Sequence, residues 1–445
     1  MKLLKALNFL QNHIRVLLII YFLIQFCYVL FSNLTYQSDS LYYFSLAQEC
    51  LKLHTFYPAP IHLYQDYITA PLYINVLVVL LSVYNSPFTI GLFNILLNFI
   101  QLWLVYEITG KLFGKRAGSC LVVIYIFYLS TLGLILFNYT EYLFNVLVFA
   151  SIYFYLQKKN YSLFLSGVLL AASIAVRPIG WALLAAYLII VFFKREKFKM
   201  IFASIILIFS GMLLFILSFG LFNYSHFGRF IFTSTNGPVN LLIGANNDAT
   251  GAYNNKVFEI GKIGYLPDAE SKTYIDKEDF WFGQVSKWIF NNPLKYISLF
   301  PLKIVHIFIW DDFSVSRLLN LEDWNLYRVM KNILEGNYKQ ILDNKSYITK
   351  ISYFILLIIH HLYYFSIVVI FFFISKNNIR EIIRNYKLGL FILFMILGVA
   401  IHLLTFGDAR FKYPYIIMMM IFISPVTYQT TISKKLNCKY KSLAN

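Results

Sequence analysis

Charge is what this sequence has least of: only 13% of its 445 residues are Asp, Glu, Lys or Arg, where a soluble chain of this size carries about a quarter. The shortage excludes an ordinary water-facing surface and fits a chain clothed mostly in lipid. Cysteine is scarce as well. Cys27 and Cys120 lie in apolar runs and Cys438 lies in a basic tail. Only Cys50 is placed to meet an oxidising space, so no disulfide framework is expected. No Cys/His metal spacing occurs. Neither the Walker nor the dinucleotide glycine spacing is present, which excludes the usual nucleotide cradles. No inverted repeat of the transporter kind and no low-complexity tail are found. No small-x-small cleavage site follows the apolar run 16–32, so that run, behind Lys2, Lys5 and Arg15, reads as a signal anchor.

What is abundant is apolar residue. The chain is 59% hydrophobic and 19% aromatic, and some of those aromatics should form interfacial belts. Apolar runs begin near positions 15, 87, 119, 141, 161, 179, 200, 351, 388 and 412. Each is long enough, or nearly so, to cross roughly 30 Å of hydrocarbon as helix. Two further runs, 71–84 and 294–310, are weaker: the first is short and the second is interrupted by Pro301 and Lys303.

Positive charge decides between them. Basic clusters stand at Lys111/Lys115/Arg116, Lys158/Lys159, Lys194/Arg195/Lys197/Lys199, Lys376/Arg380/Arg384/Lys387 and Lys434/Lys435/Lys439/Lys441. All fall in the cytoplasm only if 71–84 and 294–310 are interfacial or re-entrant helices on the outer face. The expectation is an all-α polytopic membrane protein of about ten spans with both termini cytoplasmic. It forms one membrane domain, 1–445, with outer loops at 33–86, 223–293 and 311–350. The acids, unused in choosing this topology, fall mostly outside, so the formal charge of +17 concentrates on the inner face. That suits anionic lipid and implies no nucleic acid.

The outer segments hold the residues able to do chemistry. Leu41, Phe44, Ala47 and Leu51 recur at helical spacing, giving an amphipathic helix on the membrane. Ser38 is the expected N-cap, which puts Asp39 in the first turn, where the helix dipole favours an ionised carboxylate. Such a group at the water–lipid boundary suits a general base for an acceptor hydroxyl; the plainer reading is a first-turn helix acid. Asp66 follows in the same loop, just before Pro71, and reads otherwise as a turn aspartate. Glu141 opens a helix after Thr140, an acid at membrane depth that needs a partner or a task. Arg177, broken from its helix by Pro178 with Gly180 beyond, could grip a lipid phosphate bidentately or merely snorkel. Arg410 and Lys412, beside Asp408, could hold a phosphate leaving group or form a salt-bridged turn. The Gly- and Asn-rich stretch 236–254 reads as ordered tight turns. His54, His62, His226 and His306 are scattered.

Taken in order, these landmarks resemble the GT-C superfamily of membrane glycosyltransferases, nearest the protein O-mannosyltransferase and lipid A aminoarabinose transferase types (family 39). The resemblance runs over most of the chain. It is carried by Asp39 with Tyr42 and Tyr43 after the first span, and by Asp66 before Pro71. Thr140-Glu141 and Arg177-Pro178 through Gly180 follow. Then come N-L-x-I-G-x-N-N-x-x-x-G-x-Y at Asn240–Tyr253, an N-P helix from Asn292 to Lys303, and D-x-R-(aromatic)-x-x-P at Asp408–Pro414. The family often carries Asp-Glu at the first site; here Ser40 replaces the Glu.

The resemblance implies an inverting single displacement from a polyprenyl-phosphate-sugar donor, with Asp39 as base. Arg177, Arg410, Lys412, Tyr42 and Tyr43 would serve the donor and its phosphate. No nucleotide is implied. Some members use a divalent metal, and Asp66 and Glu141 would be its ligands here. The acceptor (lipid, glycan or protein) is left open, and the site would face outward from a bacterial inner membrane. Two other readings remain. An O-antigen-type polysaccharide polymerase would lean on arginines in late loops. A lipid-linked glycan transporter or flippase would need charges inside the spans, and the mid-span regions here carry almost none.

Overall fold

A computed structural model describes residues 13–32, 34–157, 159–193, 198–318 and 347–429. The expected basic clusters at 194–197 and 434–441, and most of the expected outer loop 311–350, lie outside the described residues.

The first half runs α1 (Ile14–Phe31), α2 (Ser38–Lys52), α3 (Pro71–Val83), α4 (Pro87–Phe113), α5 (Lys115–Ile126), α6 (Leu129–Gly133), α7 (Glu141–Tyr155), α8 (Asn160–Val176), α9 (Trp181–Phe193) and α10 (Phe198–Phe227). After it come α11 (Gly237–Gly244), α12 (Tyr274–Asn291), α13 (Pro293–Ser298), α14 (Phe300–Phe308) and α15 (Phe313–Leu318). The chain closes with α16 (Tyr347–Asn377), α17 (Ile379–Arg384), α18 (Tyr386–Leu404) and α19 (Tyr413–Gln429). Among the described residues the one strand-like contact is a parallel bridge between Ala252 and Gly407. Backbone polar groups cannot be left open in hydrocarbon, and helices satisfy them internally.

Among the described residues six stretches are long and apolar enough to cross a membrane: Ile14–Phe31, Pro87–Phe113, Lys199–Phe227, Pro293–Leu318, Ser352–Asn377 and Tyr386–Leu404. A seventh is α5 with α6 and the turn after it, bent by 65° at Phe127-Tyr128. Counting the ten expected spans means leaving out 293–318 and counting α7, α8, α9 and α19 as well, each shorter than the roughly 20 residues of a full crossing. The stretch 293–318 reaches a span's length only as a whole; it is divided into α13, α14 and α15. Helix α3, expected at the outer interface, buries Tyr73, Ile74, Leu77, Val78 and Leu81 and packs mainly against α2.

Helix α8 lies at the centre, between α7 and α10. Its approach to α10 is reciprocal: a Cβ at Gly167 would lie 2.0 Å from the Ile208 carbonyl oxygen, and one at Gly211 would lie 2.1 Å from that of Phe164. Small residues let membrane helices touch backbone to backbone. Gly167→Ala should therefore lower stability by about 1–3 kcal/mol, seen as a lower unfolding temperature of the purified protein. A variant as stable as the parent would refute this contact. Against α7 and α9 the glue is polar: Ser151 Oγ meets Ser166 Oγ at 3.1 Å and Tyr187 Oη at 2.9 Å.

Helix α2 departs from its sequence reading in two ways. Helix begins at Ser38 itself, after Gln37, and no side chain caps it. Its buried stripe is Ser40, Leu46, Ala47 and Cys50, while Leu41 is 51% exposed. Helix α2 packs against α3, with the Tyr43 and Tyr73 rings edge-on at 5.5 Å, a contact that the pattern of α2 alone does not contain.

Candidate functional site

Asp39 sits in the first turn of α2. What fixes that turn is Asn138. Its backbone N–H donates to Ser40 Oγ at 3.2 Å, its Nδ2 donates to the Ser40 carbonyl at 3.0 Å, and its Oδ1 accepts from Tyr73 Oη at 2.7 Å. Ser40 therefore anchors the helix that carries Asp39. The carboxylate reaches Arg410: Oδ2 lies 2.9 Å from a terminal guanidinium nitrogen, with Asp39 47% exposed.

Arg410 rides on a short 3-10 turn, Ala409–Lys412, capped by Asp408, whose Oδ1 accepts from the Arg410 N–H at 2.8 Å. The same oxygen takes Arg410 Nε at 3.3 Å, and the guanidinium lies 4.7 Å from the centre of the Tyr139 ring. Burial opposes ionisation of Asp408, but the Arg410 guanidinium and N–H hold its carboxyl below the usual carboxylate range.

A second pair lies alongside. Pro178 starts a 3-10 turn that ends α8 and leaves Arg177 at its end. Arg177 meets Glu141 Oε1 at 2.9 Å, between the rings of Phe144 and Phe411, each 5.7 Å away. Glu141 is 3% exposed, and its Oε2 has no protein partner. Half-buried Tyr43 lies within electrostatic reach of Asp39, Arg410, Glu141 and Arg177 together. Six residues from four distant parts of the sequence thus form one charged patch: Asp39, Tyr43, Glu141, Arg177, Asp408 and Arg410.

Lys412 is not available to this patch. Only 1% exposed, its ammonium donates to Asp311 Oδ1 at 3.1 Å, to the Ala409 carbonyl at 2.9 Å and to the Trp310 carbonyl. An ammonium has three donors, and all three are used within the protein. The reading of Lys412 as a phosphate ligand is therefore replaced by one in which it fastens the turn that bears Arg410. Asp311 is held from its other side: Oδ2 meets His360 Nε2 at 3.0 Å and Ser130 Oγ at 3.0 Å.

Asp66 also lies outside the patch. Its Oδ1 receives Lys277 Nζ at 3.0 Å, and it lines a neighbouring cleft of about 450 Å³ with Tyr42, Tyr64, Gln65, Tyr67, Ala269, Glu270 and Lys277. The two expected metal ligands, Asp66 and Glu141, are thus each engaged by a cation of this chain. Among the described residues no three His, Cys, Asp or Glu side chains gather as ligands. The described residues therefore offer no ligand set for a divalent ion.

The sequence reading missed Asn138, Ser130, Asp311 and His360, and gave no task to the glycine-rich loop. That loop is packing: a Cβ at Gly244 would lie 1.6 Å from the Thr405 carbonyl oxygen and one at Gly407 would lie 2.3 Å from that of Lys303. The Gly407 N–H donates to the Gly251 carbonyl at 2.7 Å. The loop thereby braces the Asp408–Arg410 turn. A signal for Asp311 was present, since an acid amid apolar residues needs a partner. Asn138, buried at 0% exposure, carried no such signal.

No family model and no curated protein matches this chain. Among solved structures, the apo oligosaccharyltransferase of Archaeoglobus fulgidus superposes with a TM-score of 0.51 over 97% of this chain, at 14% identity. The chain spans about half of that protein, 52% of its length. The likeness is one of fold, and with the apolar helices it makes this an all-α polytopic membrane protein of GT-C-like architecture.

Proposed function

We propose that the chain is a membrane glycosyltransferase that moves a sugar, with inversion, from a polyprenyl-phosphate-sugar donor to an acceptor hydroxyl on the extracytoplasmic face. What supports the reading is the Asp39–Arg410 pair at 2.9 Å: a half-exposed carboxylate sharing a guanidinium that a phosphate would also claim. The fold likeness to an oligosaccharyltransferase agrees with it.

The donor phosphodiester carries one negative charge. As it approaches it competes with Asp39 for Arg410, and whatever it takes is released from the base. The acceptor O–H then gives its proton to Asp39 as its oxygen bonds to the sugar C1. The bond from C1 to phosphate oxygen breaks on the opposite face, and its electron pair leaves on the phosphate. Arg410 meets that growing charge from a place already fixed by Asp408 and Tyr139, as electrostatic catalysis requires. Arg177, clamped between two aromatic rings, supplies the second positive group.

The outward orientation is tested by labelling. Ile260 lies in the expected outer loop and is 82% exposed. In a chain whose four cysteines are serine, Ile260→Cys should react with a membrane-impermeant maleimide added to intact cells. Reaction only after the membrane is permeabilised would put the site on the cytoplasmic side and end this reading.

A further inference from the structure

We infer that the cleft beside the charged patch is the acceptor subsite and takes a neutral sugar, held by tyrosine faces and carboxylates. This rests on the transfer reading above.

The cleft, about 450 Å³, has the volume of a small-molecule site. Three tyrosines, two carboxylates and one amide line it, and Ala269 is its one alkyl side chain. Lys277 is buried, and its ammonium is committed to the Tyr64 carbonyl at 2.7 Å and to Asp66 at 3.0 Å. With that one cation against Asp66 and Glu270, the lining is net acidic and disfavours a phosphate-bearing acceptor. Carboxylates accept hydrogen bonds only, so they suit a ligand rich in O–H donors. Aromatic faces suit the C–H side of a pyranose, and tyrosine adds a polar handle.

Position supports the same occupant. Tyr42 lies three residues after Asp39 on α2, and residues so spaced are neighbours on a helix surface. The Tyr42 and Tyr67 rings meet edge-on with centroids 6.4 Å apart. Burial, together with the Asp39 and Asp66 carboxylates, pushes the Tyr67 hydroxyl up to about 12, so it stays a proton donor. Tyr42 is thus the wall shared by cleft and base. A sugar seated there can offer one hydroxyl to Asp39 while its remaining hydroxyls face Asp66, Gln65 and Glu270. Lys277 fixes the width of the cleft by tying the first outer loop to α12.

Saturation-transfer NMR on the full chain in sugar-free nanodiscs tests this. The probes are methyl α-mannoside, methyl β-galactoside and methyl N-acetyl-β-glucosaminide, with an acetylated Ser/Thr peptide amide and glucose 6-phosphate as contrasts. At least one glycoside should receive saturation, and the phosphate should not. Glu270→Gln, at an exposed position, should weaken that binding about fivefold, the scale of one hydrogen bond. Tyr67→Ala should weaken it about tenfold, the scale of an aromatic contact. The inference is overturned if no glycoside binds, if binding ignores both cleft variants, or if the peptide or the phosphate is preferred. Glycoside binding that depends on Glu270, in a protein that consumes no labelled polyprenyl-phosphate sugar, would instead keep the cleft and discard the transfer reading.

Discussion

Asp39→Asn is expected to lower sugar transfer by about 10²–10⁴-fold, the usual contribution of a positioned general base, in a protein that still inserts and folds. Asparagine keeps the size of the side chain and an oxygen that accepts from Arg410, and the position is 47% exposed, so folding has little at stake. The loss should fall on kcat. The donor KM should not rise, because the phosphate would no longer compete with a carboxylate for Arg410. A kinetic split of this sort separates a group used in the transition state from one that only binds. The measurement is consumption of a labelled polyprenyl-phosphate sugar by purified protein. Unchanged kcat in Asp39→Asn would remove the base; a raised KM with unchanged kcat would make Asp39 a donor-binding group instead.

Lys412→Met is expected to destabilise the protein by about 3–5 kcal/mol, the cost of leaving one partner of a buried ion pair uncompensated. Asp311 would lose its cation while 3% exposed, and the turn carrying Arg410 would lose its anchor to the 309–312 segment. Removing the charge from both partners should restore most of the loss, since a buried pair is often no better than its neutral replacement. Lys412→Met with Asp311→Asn should therefore unfold close to the parent temperature, and Lys412→Met alone well below it. The competing view of Lys412 as a phosphate ligand gives the opposite pattern: a single variant of parental stability with a raised donor KM. That pattern would overturn the fastening role.

The candidate site was legible from sequence where an unusual residue stood in an unusual setting. Asp39, Glu141, Arg177 and Arg410 are ionisable groups at the edges of apolar runs, where charge has to be justified by a partner or a task. Nothing in the spacing said which acid would face which arginine, because the pairs Asp39–Arg410 and Glu141–Arg177 join segments far apart in the chain. Lys412 shows the limit most clearly. In sequence it is equivalent to Arg410, two residues away; in space one points at the patch and the other is buried against Asp311.

By itself the sequence determined that the chain lives in a membrane, that it is helical, and roughly where its apolar runs begin. These follow from composition and one-dimensional pattern, since hydrocarbon admits little else. Only the tertiary structure decided the rest: which face of α2 is buried, that glycines at 244, 251 and 407 serve as packing, and that Lys412 is spent on Asp311. It also set a tyrosine-lined cleft beside Asp39. The physical reason is that a contact is a property of two segments, and a helix carries in its own residues no record of what will cover it.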